Sequence, residues 1–172
     1  MHDLIIRCAR PPELTYLADI ERKAASLFPA ERVADPAATL PMAQLQAALA
    51  AKLLFVAVED DQLRGFAACR VVDRYLHLDE LSVHPDYGRR GIGQALVSRV
   101  LVEAQQRQWA GVTLTTFADL PWNAPFYARR GFVELPEQSW GPELCKIIER
   151  EQMLGFPMQL RVVMQRRLDA QQ

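Results

Sequence analysis

A chain of 172 residues, half of them hydrophobic, is long enough to fold as one domain around a continuous core. Its formal net charge of −1 argues against a general nucleic-acid or membrane-surface binder, because the affinity of such proteins depends on a basic excess. The apolar runs fall well short of the ~20 residues that a membrane span needs, so no membrane partner is expected.

The N-terminus and the cysteines indicate the compartment. Residues 1–10 lack the apolar stretch and the cleavage site of a secretory signal. Cys8, Cys69 and Cys145 are far apart and odd in number, which favours free thiols in a reducing compartment. No Cys/His cluster has the spacing of a metal site. We therefore expect a cytoplasmic protein without a metal that forms a single domain over residues 1–172.

Hydrophobic periodicity predicts strands and helices along the whole chain. In order they are a strand at 4–9, a helix at 14–28, a helix at 42–52, strands at 53–59, 64–72 and 75–83, a helix at 91–109, a strand at 112–116, helices at 122–130 and 141–154, and a strand at 159–168. Asp60-Asp61-Gln62 is a hairpin signal between the second and third strands. This order implies a mixed α/β sheet.

A turn rich in glycine and arginine separates the strand at 75–83 from the helix that follows. It reads Gly88-Arg89-Arg90-Gly91-Ile92-Gly93. A helix start presents backbone N–H groups without partners inside the helix, and its dipole favours anions. Glycine has no Cβ, so a ligand can approach the backbone closely, while the two arginines add positive charge. The combination predicts a phosphate cradle.

Two common phosphate loops do not fit this turn. A mononucleotide loop needs Gly-Lys followed by Ser or Thr, whereas Gln94 and Ala95 follow Gly93. A dinucleotide fingerprint needs a third glycine at the position that Leu96 occupies. The remaining candidate is a pyrophosphate held by backbone amides, without a metal or a lysine.

Two segments together resemble the GNAT family of acetyl-CoA-dependent acetyltransferases. The family's pyrophosphate loop has the form Gln/Arg-x-x-Gly-x-Gly/Ala. Residues 88–93 match it at both glycines, while Gly88 stands where the family usually has Gln or Arg. A second segment resembles the family's Asn…Phe-Tyr-x-x-x-Gly-Phe element and reads Trp122-Asn123-Ala124-Pro125-Phe126-Tyr127-Ala128-Arg129-Arg130-Gly131-Phe132. With the helix and the strand between them, the resemblance covers residues 53–134.

The resemblance implies a fold and a cofactor. The fold is the acyl-CoA N-acyltransferase fold, which is α/β with a mixed, splayed central sheet flanked by helices. The pantetheine arm of acetyl-CoA, the co-substrate, lies between the strands that end near Val83 and Thr116. The residues expected to bind it are Leu81, Val83, Gly88, Arg89, Arg90, Gly91, Ile92, Gly93 and Asn123. Asn123 has two explanations, a hydrogen bond to pantetheine and a helix N-cap.

The resemblance also implies catalytic roles. Tyr127 matches the tyrosine that the family commonly places beside the cofactor sulfur. A phenol has a reference pKa of about 10, so it can serve as the acid for the leaving thiolate. The alternative is a ring that only packs against the cofactor. Glu80 falls on the apolar face of its strand, which suits a base near neutral pH, and binding of the substrate ammonium is its alternative role. A backbone N–H of Leu81 or Val83 would stabilise the oxyanion.

The acceptor is expected to be a primary amine of a small molecule or a peptide. The segments that build its pocket in the family contribute Phe28, Thr115, Thr116, Phe117, Trp122 and Trp140 here. Of these, Phe28, Thr116 and Trp122 are the expected acceptor contacts, although core packing explains each residue as well. Glu21 could pair with a cationic acceptor, but a solvated helix face explains it too. No cysteine lies in the two segments, so we expect direct transfer. A non-catalytic acyl-CoA sensor is the alternative function, and residues 139–164 could supply a homodimer interface.

Overall fold

The structure, a computed structural model, describes residues 3–169. In chain order its helices and strands are β1 (Ile5–Cys8), α1 (Leu14–Ala25), α2 (Met42–Ala50), β2 (Leu54–Glu59), β3 (Gln62–Val72), β4 (Tyr75–Val83), α3 (Ile92–Gln106), β5 (Gly111–Phe117), α4 (Ala124–Ala128), β6 (Val133–Glu134), α5 (Pro142–Met153) and β7 (Arg161–Arg167). The longest helix, α3, has 15 residues. None of the helices in this range is long and apolar enough to cross a bilayer.

The strands form one mixed sheet in the order β1-β2-β3-β4-β5-β7-β6. The pairs β1–β2, β2–β3, β5–β7 and β6–β7 are antiparallel, and β4–β5 is parallel. In the described chain the parallel ladder joins only Leu76 to Val112 and His77 to Thr113, near the start of both strands. The predicted mixed α/β sheet is confirmed, and a short parallel ladder is what a splayed sheet requires.

The described residues fall into two compact units. The first unit comprises residues 3–70 and 79–102, and the second comprises residues 71–78 and 103–169. A single domain over residues 1–172 stays a prediction.

The first unit has a core in which two helices and two strands bury one apolar cluster. On α1 the buried positions Leu14, Leu17 and Ile20 recur at helical spacing. The whole of β2 is buried, as expected of a strand covered on both faces. The buried members of the cluster are Ala9, Leu14, Leu17, Ile20, Leu45, Ala48, Leu54, Val56, Val58, Phe66 and Ala68.

The hairpin between β2 and β3 has a two-residue turn, since Glu59 pairs directly with Gln62. Both turn residues, Asp60 and Asp61, have positive φ, at 52° and 57°. Such a turn matches the twist of antiparallel strands, and aspartate tolerates this conformation. Gln62 therefore belongs to β3 rather than to the turn in which the sequence placed it.

The β3 strand fixes the end of β4. A Cβ added at Gly65 would lie 2.7 Å from the carbonyl oxygen of Ser82, so the two backbones approach more closely than a side chain would allow. Just beyond β4, the N–H of His84 donates to the carbonyl of Arg64 at 2.8 Å. The start of the glycine-rich turn is thereby held by β3.

In the second unit, the turn between β3 and β4 caps α5. Asp73 accepts from the N–H groups of Glu143 at 3.0 Å and Leu144 at 2.8 Å, and the Glu143 carboxylate accepts from the N–H of Asp73. These bonds satisfy donors at the start of the helix. Leu144 then packs with Val72 and Val163.

Several element boundaries differ from the prediction: α3 ends at Gln106 rather than at residue 109, and α4 spans Ala124–Ala128 rather than 122–130. The first helix ends at Ala25 rather than at residue 28, because the residue before Pro29 is disfavoured in the helical region, and a hydrogen-bonded turn follows instead. The two-residue strand β6 was not predicted, because it is too short to show a period. It forms by pairing with Gln165 and Met164 of β7.

Candidate functional site

The glycine-rich turn forms the start of α3, as predicted. A short 3-10 turn at Pro85–Tyr87 follows β4, and α3 begins at Ile92. Gly91 has a φ of 82°, and a Cβ built there would meet no atom within 4 Å. The space beside the helix start is therefore open to a ligand. This arrangement fits an anion held by backbone amides.

The two arginines of the turn have different surroundings. Arg89 is exposed and adopts a φ of 60°, which is unfavourable for a residue with a side chain and costs about 1–3 kcal/mol. Arg90 is half-exposed, and its Nη2 donates to Oε1 of Glu59 at 3.0 Å. The sequence predicted two charges beside the amides, whereas the structure pairs one of them with a buried carboxylate.

On β4, the acidic neighbours Asp79 and Glu80 have separate partners. Asp79 pairs with Arg70 of β3 at 2.9 Å, while Oε1 of Glu80 accepts from the hydroxyl of Ser82 at 2.7 Å. The Ser82 contact follows from the strand, since residues two apart share a face. Leu81 and Val83, the expected oxyanion donors, are half-buried. Glu80 is thus the carboxylate of this pair that shares the face of Leu76 and Leu78.

A second carboxyl group of the first unit, that of Glu21, is affected by the charge of Glu80. The N–H of Leu40 donates to both carboxylate oxygens of Glu21, at 3.1 and 3.0 Å. Burial, and next the negative charge of Glu80, raise the pKa of Glu21 to about 8 from its ordinary 4.5. Because that value lies above 7, Glu21 is largely protonated at neutral pH. The sequence left the role of Glu21 open. Its helical spacing from Leu14 and Leu17 indicated that it lies on the same side of α1 as these buried residues.

In the second unit, Asn123 and Tyr127 belong to α4 and its first turn. Asn123 occupies the N-cap position without a capping hydrogen bond from its side chain. Its Oδ1 is buried and accepts no hydrogen bond from the described residues. The N-cap explanation therefore loses its support, and an unsatisfied acceptor remains.

Tyr127 is buried, with 7% of its surface exposed. The rings of Phe126 and Phe132 contact it in edge-on geometry, at centroid distances of 5.0 and 5.6 Å. These contacts fix the orientation of the ring, which both a catalytic acid and a packing role require.

The three expected acceptor residues are in different environments. Phe28 is half-buried just after α1, Thr116 is buried on β5 opposite Val162, and Trp122 is 45% exposed. Their role in substrate binding stays a prediction.

The second unit also contains a polar cluster that was not predicted from the sequence. Oγ1 of Thr115 donates to Glu151 at 2.5 Å and accepts from Arg161 at 3.1 Å. The guanidinium of Arg161 also lies 4.9 and 4.7 Å from the ring centroids of Phe117 and Phe156. No sequence signal could have found this cluster, because it joins β5, α5 and β7 from distant parts of the chain.

The two described histidines have structural partners. His77 is buried, and its Nδ1 lies 3.0 Å from Oγ1 of Thr113. His84 caps the 3-10 turn through Asp86 N–H. Residues 3–169 contain no group of three or more His, Cys, Asp or Glu side chains arranged to hold a metal ion.

Residues 50–134 match the family described as Acetyltransferase (GNAT) domain. This segment contains the turn at 88–93, Glu80 and the Asn123–Tyr127 pair.

Solved structures show the same fold at low sequence identity. The paiA N-acetyltransferase from Thermoplasma acidophilum, in complex with coenzyme A, is 15% identical with a TM-score of 0.70, over 96% of this chain and 99% of that chain. Arabidopsis thaliana Naa50, in complex with the bisubstrate analogue CoA-Ac-MVNAL, is 18% identical with a TM-score of 0.67, over 96% and 99%. The N-acetylglutamate synthase from Neisseria gonorrhoeae, complexed with coenzyme A and N-acetyl-glutamate, is 17% identical with a TM-score of 0.75, over 99% of this chain but 36% of that chain.

The family's domain covers the turn and the α4 segment that carry the resemblance, and the shared fold extends over nearly the whole chain. Residues 50–134 of this chain therefore form an acetyltransferase domain of the GNAT family.

Proposed function

We propose that this GNAT enzyme moves the acetyl group of acetyl-CoA directly to a primary amine of a small molecule or peptide. The observation that carries the proposal is the open, glycine-rich start of α3, where Gly91 leaves space for a pyrophosphate. The amides of Gly91, Ile92 and Gly93 would hold that pyrophosphate. Gly88 has no side chain and would let the pyrophosphate approach the backbone closely. Arg89 contributes positive charge.

The unsatisfied oxygen of Asn123 supports the same cofactor. Pantetheine carries amide N–H groups, and one of them would satisfy the buried Oδ1. Backbone N–H groups of Leu81 or Val83 would stabilise the developing oxyanion. When bound, acetyl-CoA supplies an acetyl group activated as a thioester.

The acidic pair of the first unit supports an amine acceptor. Amines arrive as ammonium ions and must lose a proton before they attack. Glu80 would take that proton, and Glu21, whose pKa is raised partly by the charge of Glu80, would help to bind the cation. Tyr127 would protonate the leaving thiolate.

The acceptor is drawn from a broad class. The Naa50 structure holds the bisubstrate analogue CoA-Ac-MVNAL, whereas the synthase structure holds N-acetyl-glutamate beside coenzyme A. Phe28, Thr116 and Trp122 stay the proposed acceptor contacts here. A homodimer and a cytoplasmic location also stay proposals. The non-catalytic sensor gains no support from these comparisons.

Thermal melting with ligands tests the cofactor. Acetyl-CoA should stabilise the protein by about 2.7 kcal/mol at 100 times its dissociation constant, because it binds the folded state, and ATP with Mg²⁺ should not. An amine panel scored by release of free thiol then identifies the acceptor. Stabilisation without thiol release from any amine would favour the sensor, and no stabilisation would contradict the proposed cofactor.

Tyr127→Phe tests the acid. Removing the hydroxyl should lower kcat by roughly 100-fold, because general acid catalysis contributes about that much or more, while the dissociation constant of coenzyme A stays near its original value. Tyr16→Phe, at an exposed position of α1, is the control and should leave both unchanged. An unaltered kcat in Tyr127→Phe would leave the tyrosine with a packing role only.

Glu80→Gln tests the base. The wild-type kcat/KM for the amine should rise with pH as the base loses its proton, and Glu80→Gln should remove this acidic limb. Glu21→Gln should retain it. If the limb survives in Glu80→Gln and disappears in Glu21→Gln, the two assignments must be exchanged.

Glu21→Gln also tests the environment of the acidic pair. Because the folded state holds the Glu21 proton more tightly than the unfolded chain does, this group makes the free energy of unfolding fall as pH rises from about 4.5 to about 8. Urea denaturation at pH 5 and pH 8 should show that the free energy of unfolding falls less in Glu21→Gln than in the wild type. The exposed control Glu31→Gln should keep the wild-type dependence. An equal fall in all three proteins would contradict the raised pKa.

A further inference from the structure

A buried carboxylate at the end of β2 contacts the cofactor turn. Glu59, with 7% of its surface exposed, is the last residue of β2. Its Oε1 accepts from Arg90 at 3.0 Å, and its Oε2 lies 4.0 Å from Nε of Arg64 on β3. Glu59 therefore faces two guanidinium groups, one of which comes from the turn at 88–93.

The same two arginines contact Tyr87, which directly precedes the turn. The guanidinium of Arg64 lies 3.9 Å from the centroid of the Tyr87 ring, and that of Arg90 lies 5.5 Å from it. The ring of His84 meets Tyr87 edge-on at 5.5 Å. The segment before the turn and the last arginine within it are thus both attached to the β2–β3 hairpin.

Arg89 lies between these two attachments and has the strained φ of 60°. A residue with a side chain keeps such a conformation only when the surrounding structure holds it. Arg89 is itself exposed, so its own side chain is poorly placed to supply that restraint. The fixed positions of Tyr87 and Arg90 supply it instead.

We infer that Glu59 is a positioning residue for the cofactor turn. By holding Arg90, it keeps Arg89 left-handed and directs the amides at the start of α3 toward the pyrophosphate. This inference rests on the proposed use of residues 88–93 for acetyl-CoA. Glu59 acts through Arg90 and not by touching the cofactor.

Simple electrostatics predicts the opposite effect of removing this charge. Glu59 is an anion near the binding site of a polyanion, and it offsets the charge of Arg90. If it did nothing else, Glu59→Gln would release Arg90 and tighten the binding of coenzyme A. If Glu59 positions the turn, the same variant weakens binding. The sign of the change therefore separates the two roles.

Calorimetric titration of coenzyme A into Glu59→Gln is the test. We expect the dissociation constant to rise about tenfold, the size of one lost charge-assisted hydrogen bond. The KM for acetyl-CoA should rise in parallel, while kcat at saturation and the KM for the amine stay within about twofold. An unchanged or lower dissociation constant overturns the inference.

Arg90→Gln provides a second variant that alters a half-exposed side chain and so keeps the core intact. It should weaken binding of coenzyme A as Glu59→Gln does. The double variant should bind no more weakly than Arg90→Gln alone, because Glu59 acts through Arg90 and has no further effect once that side chain is changed. Additive losses would show that Glu59 and Arg90 act independently, which contradicts the inference.

Arg89→Gly reports on the strain itself. Glycine adopts positive φ freely but removes a charge, so in the wild-type background the substitution should weaken binding. In the Glu59→Gln background, the loss of coenzyme A affinity caused by Arg89→Gly should be smaller or reversed, because glycine does not need the restraint that Glu59 supplies. Equal penalties in both backgrounds contradict the role of Glu59 in holding Arg89.

Glu13→Gln is the matched control. Glu13 forms an ion pair with Arg7 at 2.6 Å in the same unit and belongs to neither the turn at 88–93 nor the β2–β3 hairpin, so its loss should leave coenzyme A binding unchanged. If Glu13→Gln weakens binding as much as Glu59→Gln does, the effect is general destabilisation and the inference fails. If the wild-type protein itself does not bind coenzyme A, the proposed cofactor fails first. Wild-type binding that Glu59→Gln leaves unchanged overturns only the role of Glu59.

Discussion

The left-handed backbone of the turn before α3 is the constraint on which the candidate site depends. Gly91 adopts it without strain, and its missing side chain leaves the helix start open. Arg89 adopts it at a cost, and we infer that contacts of its neighbours with the β2–β3 hairpin offset this cost. That hairpin is in turn defined by two left-handed aspartates. The proposed phosphate cradle of backbone amides thus depends on ordinary rules of turn and sheet geometry in one unit of the chain.

Two groups, one in each compact unit, lack full solvation in the folded protein. Oδ1 of Asn123 is buried without a donor, and the carboxyl of Glu21 is buried where its ionised form is disfavoured. Both arrangements oppose folding, since buried polar groups are normally satisfied. Binding sites commonly retain such groups because a ligand can satisfy them. Asp79 pairs instead with an arginine, and His77 lies within hydrogen-bond distance of a threonine, so both have partners within the protein.

Local patterns predicted most of the fold, and distant contacts account for what they missed. The strand at 75–83 and the start of α3 followed from period and glycine placement, and alternation placed Glu80 on the face of Leu76 and Leu78. The sequence placed Glu59 only as the last residue of a predicted strand. Its partner Arg90 is 31 residues away, so no local pattern indicates the pair. Asn123 had two explanations that only an observed hydrogen-bond pattern could separate. The strand β6 exists only through its pairing with β7, which no local signal records.

The proton on Glu21 has a consequence for calorimetry of the acceptor. At neutral pH this carboxyl is largely protonated, because burial and Glu80 disfavour its charge. A cation bound beside it would favour the ionised form and release the proton to the buffer. The measured heat of amine binding would then change with the ionisation enthalpy of the buffer, and the slope of that plot would count the protons released. Amine affinity would also increase with pH below the pKa of Glu21, even for an acceptor whose own charge stays constant.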